Sequence, residues 1–408
     1  CDEPICCRKD QIPHKHSNNT IVVKHANTRK SDPAGFWGDY RNCDTPKWAF
    51  DDVIENIHEN HGDIDLLYYI GDTIDHGVWE TSYELINEMN RYMIEKIKTT
   101  FRDDVTVIPV IGNHESEPTN HVSFFRFAPS SITAPKLNTT WLYDALAAKW
   151  DYYLPEGAKV SLKKHGSFSM LVRPGFRVIS FNNIFAYRFN WWLSYDPRYS
   201  KKMLEWLIDE LYKAESQGEV VHILTHIPPG SDDLIHTWTR EYNRVINRFS
   251  STIAAEFNGH THLDEFRLFY SQDNKPVNVA WNVGGITAYK FYNLNYKIMP
   301  ENIINYVYNL TEANLTPNRR PHWFLLYDMK NSFELSDLSP TSMNNLVHSM
   351  VTEKRHFLDL YSAFTYKLSD PLWPKCDVDC KISNVCNTVV TVLWERQRCD
   401  ELKRLYYS

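Results

Sequence analysis

The stretch Ile64-Asp65-Leu66-Leu67-Tyr68-Tyr69-Ile70-Gly71-Asp72-Thr73-Ile74-Asp75-His76 passes from an apolar run straight into a polar cluster. The apolar part reads as a buried strand, and Gly71-Asp72 as its end. Three later segments repeat the arrangement. Val105 to Ile111 leads into Gly112-Asn113-His114-Glu115, and Val220 to Leu224 into His226-Ile227-Pro228-Pro229-Gly230. Ile253 to Phe257 leads into Gly259-His260-Thr261-His262. Ligands of α/β sheets bind beyond the carboxyl ends of the strands. Four strand ends supplying Asp, Asn or His therefore predict one metal site assembled from most of the chain. Each cluster alone has a plainer explanation: Gly-Asp and Gly-Asn are turn dipeptides, and His226 before two prolines suits a packed imidazole. His260 and His262 weigh more, because alternate residues of an extended segment point the same way. The four together make a metal site the expected reading.

The chain has 408 residues, 43% of them hydrophobic, enough for one large domain and a small one. Its 13 Trp, 24 Tyr and 20 Phe argue against disorder. No apolar run reaches the length of a membrane span, and no transmembrane segment or nucleic-acid partner is expected. The chain opens on Cys1 without a visible leader and reads as a mature or trimmed product. The formal charge is −7, and protonating all 17 histidines in an acidic compartment would reverse its sign. A positive protein is drawn to anionic membrane surfaces, although surface histidines also titrate without consequence.

The cysteines fall into two groups: Cys1, Cys6, Cys7 and Cys43, then Cys376, Cys380, Cys386 and Cys399. Neither group has the paired Cys-x-x-Cys spacing of a zinc knuckle, so disulfides in an oxidising compartment are expected. Sequence leaves the connectivity open; local pairing predicts Cys1–Cys6, Cys7–Cys43, Cys376–Cys380 and Cys386–Cys399. Sequons at Asn18, Asn138, Asn309 and Asn314 add to a secreted or lysosomal expectation.

Three regions are expected. Residues 1–43 form a disulfide-bearing N-terminal segment, 44–330 a catalytic domain, and 331–408 a helical, disulfide-stapled C-terminal subdomain. Asp44 or Thr45 reads as the cap of a first helix running to about His58, and Thr81 to Thr99 as a second. Residues 117–137 read as a long loop. A 168–172/176–181 hairpin turns at Arg173-Pro174-Gly175, and Tyr199 to Ala214 is an amphipathic helix. Helices follow at 140–150, 240–249 and 344–366, and strands at 266–270 and 277–283.

A carboxylate, an amide oxygen and imidazoles suit zinc, manganese or iron. Two such ions sharing a carboxylate can aim a metal-bound hydroxide at a phosphate ester while a nearby histidine protonates the leaving oxygen. In order and spacing, Gly71-Asp72, Gly112-Asn113-His114-Glu115, His226-Ile227-Pro228-Pro229-Gly230 and Gly259-His260-Thr261-His262 resemble the calcineurin-like metallophosphoesterases. Cys6-Cys7-Arg8, Trp37-Gly38-Asp39-Tyr40, Cys43-Asp44, Asn309-Leu310-Thr311 and Pro321-His322-Trp323 narrow the resemblance to the acid sphingomyelinase family.

The resemblance implies an α/β fold, a four-layer α-β-β-α metallophosphoesterase sandwich followed by a helical C-terminal subdomain. It implies two Zn2+ bridged by Asp72, one held also by Asn113, His226 and His260, the other by His262. His76 and His114 match the positions that contact phosphate and protonate the leaving alkoxide. The implied reaction is hydrolysis of sphingomyelin, at a membrane surface, to ceramide and phosphocholine. The family's Asp-x-His on a first strand has no counterpart in residues 1–43, so the second zinc position is incomplete. The family's mid-chain disulfide has Ala186 and the Ser231–Ile235 segment in its place. Two alternatives stand: a sphingomyelinase-like phosphodiesterase of nucleotide-type esters, and a catalytically silent binder of lipid or of a protein partner. The aromatic run Phe189-Asn190-Trp191-Trp192 suits membrane docking or, more simply, core packing.

Overall fold

The computed structural model describes residues 6, 33–122, 140–299 and 301–408. Strands β1 (Leu66–Tyr69) and β2 (Thr106–Pro109) form a parallel pair. The helix between them, Tyr83–Phe101, buries Ile86, Met93, Ile94, Ile97 and Phe101, a stripe at helical spacing. Ser82 caps it by accepting from Leu85 N at 3.1 Å. Helix Lys47–Asn60 packs beside it.

The largest sheet has six strands: β3 (Phe168–Arg173), β4 (Phe176–Ser180), β5 (Val220–Leu224), β6 (Ile253–Asn258), β7 (Asp264–Tyr270) and β8 (Pro276–Val283). Their spatial order is β3-β4-β5-β6-β8-β7. The four inner strands run parallel, and an antiparallel strand flanks them on each side. Such inner strands are buried on both faces and read as near-continuous apolar runs, which is why they were visible in the sequence. Helices Tyr199–Ser216 and His236–Arg248 make the crossovers into β5 and β6.

A third, antiparallel sheet was not foreseen: β9 (Asn295–Ile298), β10 (Ile304–Val307) and β11 (Phe324–Asp328), in the order β11-β10-β9. Its strands are short, and its buried positions include Asn295 and Asn305, which no hydrophobicity pattern reveals. Side chains join the β layers. Tyr68 Oη and His222 Nδ1 lie 2.8 Å apart, Ser180 Oγ donates to Pro109 O, and Tyr327 Oη donates to Asp264. Two β layers with helices outside them make the expected α-β-β-α sandwich.

Among the described residues β1 pairs only with β2, and β9 only with β10. Between these strands lies a cavity of about 1630 Å³, with Leu67, Tyr69, Ala255, Trp281, Tyr296 and Ile298 in its walls.

Beyond β11 the chain is helical. The expected helix over 344–366 is two, Pro340–Val351 and Arg355–Thr365. Thr352 ends the first by donating its hydroxyl back to His348 O. Cys376–Cys380 and Cys386–Cys399 pair as expected, the second tying helix Val378–Asn387 to helix Gln397–Tyr407. The N-terminal expectation is corrected: Cys43 pairs with Cys6, which excludes both Cys7–Cys43 and Cys1–Cys6. Successive side chains of adjacent residues point in different directions, so only one of Cys6 and Cys7 can face Cys43, and sequence does not say which.

Candidate metal and phosphoester site

The site begins with two glycines. Gly71 has φ +86°, and a Cβ there would lie 2.6 Å from Gly112 N. A Cβ on Gly112 would lie 2.2 Å from Asp72 Oδ1. The ends of β1 and β2 can therefore touch, with Asp72 in the left-handed region at φ 60°. Glu115 fastens them, accepting from Gly112 N at 2.6 Å and from the amides of Asp72 and Thr73. Burial, then the charge of Asp72, pushes the Glu115 carboxyl up. Asp72 Oδ1 accepts from His114 N at 2.9 Å. Burial alone would raise the Asp72 carboxyl, but the imidazoles of His226 and His114 outweigh it and hold it well below the carboxylate range.

Four side chains from four strand ends meet here. His226 Nδ1 donates to Ile70 O at 2.6 Å, which turns Nε2 toward Asp72 Oδ2 at 2.8 Å and Asn113 Oδ1 at 3.1 Å. Asn113 Nδ2 donates to Asn120 Oδ1 at 2.8 Å, leaving Oδ1 inward. His260 Nε2 donates to Asp233 Oδ2 at 2.9 Å, leaving Nδ1 3.0 Å from Asn113 Oδ1. Each imidazole thus commits its N–H outward, and four lone-pair atoms converge. Ligand atoms of Asp72, His226 and His260 all lie within 4.8 Å of one another. Acceptors facing acceptors are unfavourable unless a cation or a proton sits among them. The donor set, one carboxylate, one amide oxygen and two imidazoles, fits a divalent ion that takes mixed N and O ligands. Without one, the Asp72 charge overcomes burial and raises the proton affinity of His226.

His262 is buried and stands apart from this group. Its Nδ1 has no hydrogen-bond partner among the described residues, and its ring meets His76 edge-on at 5.4 Å. Burial, His76 and Lys367 hold its imidazole well below the usual range. The expected second ion would share Asp72 and take His262, and among the described residues no three-residue group of His, Cys, Asp or Glu that could hold a metal includes His262.

His76 and His114 are neighbours, with centroids 4.7 Å apart. His76 Nδ1 donates to Asp44 Oδ1 at 2.7 Å, its backbone N–H donates to Asp44 Oδ2 at 2.9 Å, and Tyr289 stacks on its ring at 3.6 Å. His114 Nδ1 donates to Asp75 O at 2.7 Å. Both rings therefore have Nε2 available. Sequence reading missed four contributors. Asp44 read as a helix cap, but the cap position is Pro46. Glu115 was quoted in its motif without a role, and neither Asp233 nor Tyr289 carries a motif. Of the sequons, Asn18 and Asn138 lie outside the described residues. Asn314 Nδ2 donates to Gly38 O at 2.9 Å, and Asn309 Nδ2 reaches the exposed Asp370.

Comparison with known proteins agrees with this geometry. A family model described as calcineurin-like phosphoesterase matches residues 25–264, and one described as the acid sphingomyelin phosphodiesterase C-terminal region matches residues 269–403. The chain is 32% identical to a sphingomyelin phosphodiesterase of Bos taurus over 401 residues, 95% of this chain and 60% of that protein. It is 31% identical to the Homo sapiens sphingomyelin phosphodiesterase, again over 95% of this chain and 59% of that protein. A cyclic GMP-AMP phosphodiesterase of Homo sapiens is 25% identical over 97% of this chain and 88% of its own length. The chain thus spans about three fifths of the sphingomyelin phosphodiesterases just described. With a matching model over more than half of its residues, and the donor cluster at the strand ends that model covers, the chain belongs to the calcineurin-like phosphoesterase family.

Proposed function

We propose that the chain is a zinc-dependent phosphodiesterase that hydrolyses sphingomyelin to ceramide and phosphocholine. The convergence of four lone-pair atoms beside two oriented imidazoles carries this reading. Asp72, Asn113, His226 and His260 would hold the ion, and Asp72 with His262 a second. A divalent cation bound there supplies Lewis acidity and a more acidic water. The chain's own groups do the rest. His114, fixed through Nδ1 by Asp75 O, presents Nε2 to a phosphoryl oxygen. His76 presents Nε2 to the leaving alkoxide and gives it a proton. Asp44 fixes the His76 ring and tautomer so that Nε2 faces that oxygen.

A lipid substrate is supported by exposed apolar side chains beside these histidines. Val78 and Trp79 follow His76, Trp79 being 68% exposed, and Phe291 follows Tyr289. In the aromatic run, Phe189 and Trp191 are exposed and Trp192 is buried, so the run has residues for both docking and packing. We place the protein outside the cell or in the lysosome, on the strength of its disulfides. No helix among the described residues is long and apolar enough to cross a membrane. Asn309, with its amide near the surface, suits a glycan better than Asn314, whose amide is bonded inside the fold.

A nucleotide-type ester is the second reading, favoured by the near full-length match to a cyclic GMP-AMP phosphodiesterase. The deciding experiment measures zinc content and phosphocholine release from sphingomyelin vesicles at acidic pH, beside hydrolysis of a cyclic dinucleotide. Phosphocholine release that vanishes on chelation and returns with Zn2+ is expected. Dinucleotide turnover alone moves the protein to the second reading, and no turnover of either ester refutes the catalytic proposal.

A further inference from the structure

We infer that Asp233 is a positioning residue that fixes the tautomer and ring of His260 for metal binding, an inference that rests on the metal reading above. Asp233 lies in the Ser231–Ile235 segment, after the Pro228-Pro229-Gly230 turn. Its Oδ2 receives His260 Nε2–H at 2.9 Å, on the side of the ring opposite Asn113. That single contact leaves Nδ1 as a lone pair directed at the convergence point. Carboxylates placed so behind a metal-bound imidazole set its tautomer and raise its basicity.

Asp233 is itself held in three ways. Arg188 N donates to its carbonyl at 2.7 Å, Arg188 Nε approaches its Oδ1 at 3.4 Å, and Asp233 N donates to Ser231 Oγ at 3.2 Å. Around it, Ile235 N donates to Ala186 O at 2.9 Å, and Tyr187 and Leu234 form an isolated β-bridge. The Ala186–Arg188 and Ser231–Ile235 segments are therefore clasped without a covalent bond. Tyr187 also meets the His260 ring edge-on at 5.7 Å. The clasp ends on the imidazole, so the segment that bridges the two loops also orients a metal donor.

The test uses D233A and D233N in the full chain, with no substrate present. Zn2+ affinity is measured by competition with a chromophoric chelator, Co2+ absorption reports the coordination geometry, and 15N NMR of the metal-free protein reads the His260 tautomer. For D233A we expect a roughly 10–100-fold loss of Zn2+ affinity. Its metal-free melting temperature should stay unchanged, and the Nε2–H tautomer should no longer dominate. D233N, whose amide oxygen can still accept from Nε2, should fall between D233A and wild type. Wild-type affinity with a wild-type tautomer in D233A overturns the inference. So does an affinity loss equal in both variants and matched by a lower metal-free melting temperature, which would be a packing effect. If D233A does not fold, D233N carries the test: an affinity loss of at least about threefold with a tautomer change is expected, and wild-type behaviour overturns. Failure of the sphingomyelin assay leaves these readouts untouched, whereas a wild-type protein that binds neither Zn2+ nor Co2+ refutes the metal reading and this inference with it.

Discussion

Replacing Glu256 by Gln should stabilise the protein at pH 8 and leave it unchanged at pH 4.5. Glu256 is fully buried in β6. Asn258 Nδ2 donates to one carboxyl oxygen at 3.0 Å, and the other has no partner among the described residues. Burial pushes the carboxyl up to about 7, from an ordinary 4.5. Between those values the folded protein keeps a proton that the unfolded chain releases, so stability falls as pH rises through that window. At roughly 1.4 kcal/mol per pH unit, the full fall is about 3 kcal/mol, a large share of a typical 5–15 kcal/mol stability. On the neighbouring strand β5, His222 carries the opposite slope. Burial and Arg173 push its imidazole down to about 4, from 6.5. Between 4 and 6.5 the unfolded chain takes a proton that the folded state refuses, so stability is lost as pH falls through that range. The two slopes oppose each other between about 4.5 and 6.5, so this pair adds little net pH dependence there. E256Q removes one slope and exposes the other. Urea unfolding followed by tryptophan fluorescence at pH 4.5, 6 and 8, with metal chelated, measures the difference. A gain for E256Q that is the same at all three pH values, or stays under about 1 kcal/mol at pH 8, would refute the assignment.

Three further outcomes are expected. Asp44→Asn should lower kcat by about 10²-fold without changing zinc content, because the His76 tautomer is no longer fixed while the metal donors are intact; parallel metal analysis and steady-state kinetics decide it. His226→Ala removes a donor and the anchor to Ile70 O, so bound zinc and esterase activity should both disappear while near-UV circular dichroism stays native. The double variant C386A/C399A opens a link between residues 13 apart and should cost about 3 kcal/mol, read from urea midpoints under non-reducing conditions.

The fold was legible where burial leaves a plain pattern. The runs ending at Ile70, Ile111, Leu224 and Phe257 contain parallel strands, and each delivers its polar cluster at its end. Helix Tyr83–Phe101 declared itself by its stripe, although its capping serine, Ser82, went unread and its start was placed at Thr81. The β9–β11 sheet did not, since its strands are short and bury asparagines. In the site, Asp72, Asn113, His226 and His260 could be picked out together because each follows a strand, and the structure brings them within reach of one another. Asp44, Glu115 and Asp233 could not, because their roles arise from distances across 32, 43 and 27 residues of chain. A residue that orients another residue has no spacing signature of its own.

The edge of β1 beside β9 bears on how the two β layers are joined. Asp65 O and Tyr69 O accept from β2 and its continuation, so Leu66 and Tyr68, alternating with them, turn their backbone N–H and C=O groups toward that edge. The unit built on β1, β2 and the helices beside them shares no backbone ladder with the six-stranded sheet among the described residues, only side-chain bonds such as Tyr68–His222 and Ser180–Pro109. Among the described residues the two layers are held to each other by such side-chain bonds. Asp72 and Asn113 belong to that unit, while His226 and His260 belong to the sheet opposite. An ion held by all four would act as a rivet across the seam, adding its binding free energy to the contact between the two layers.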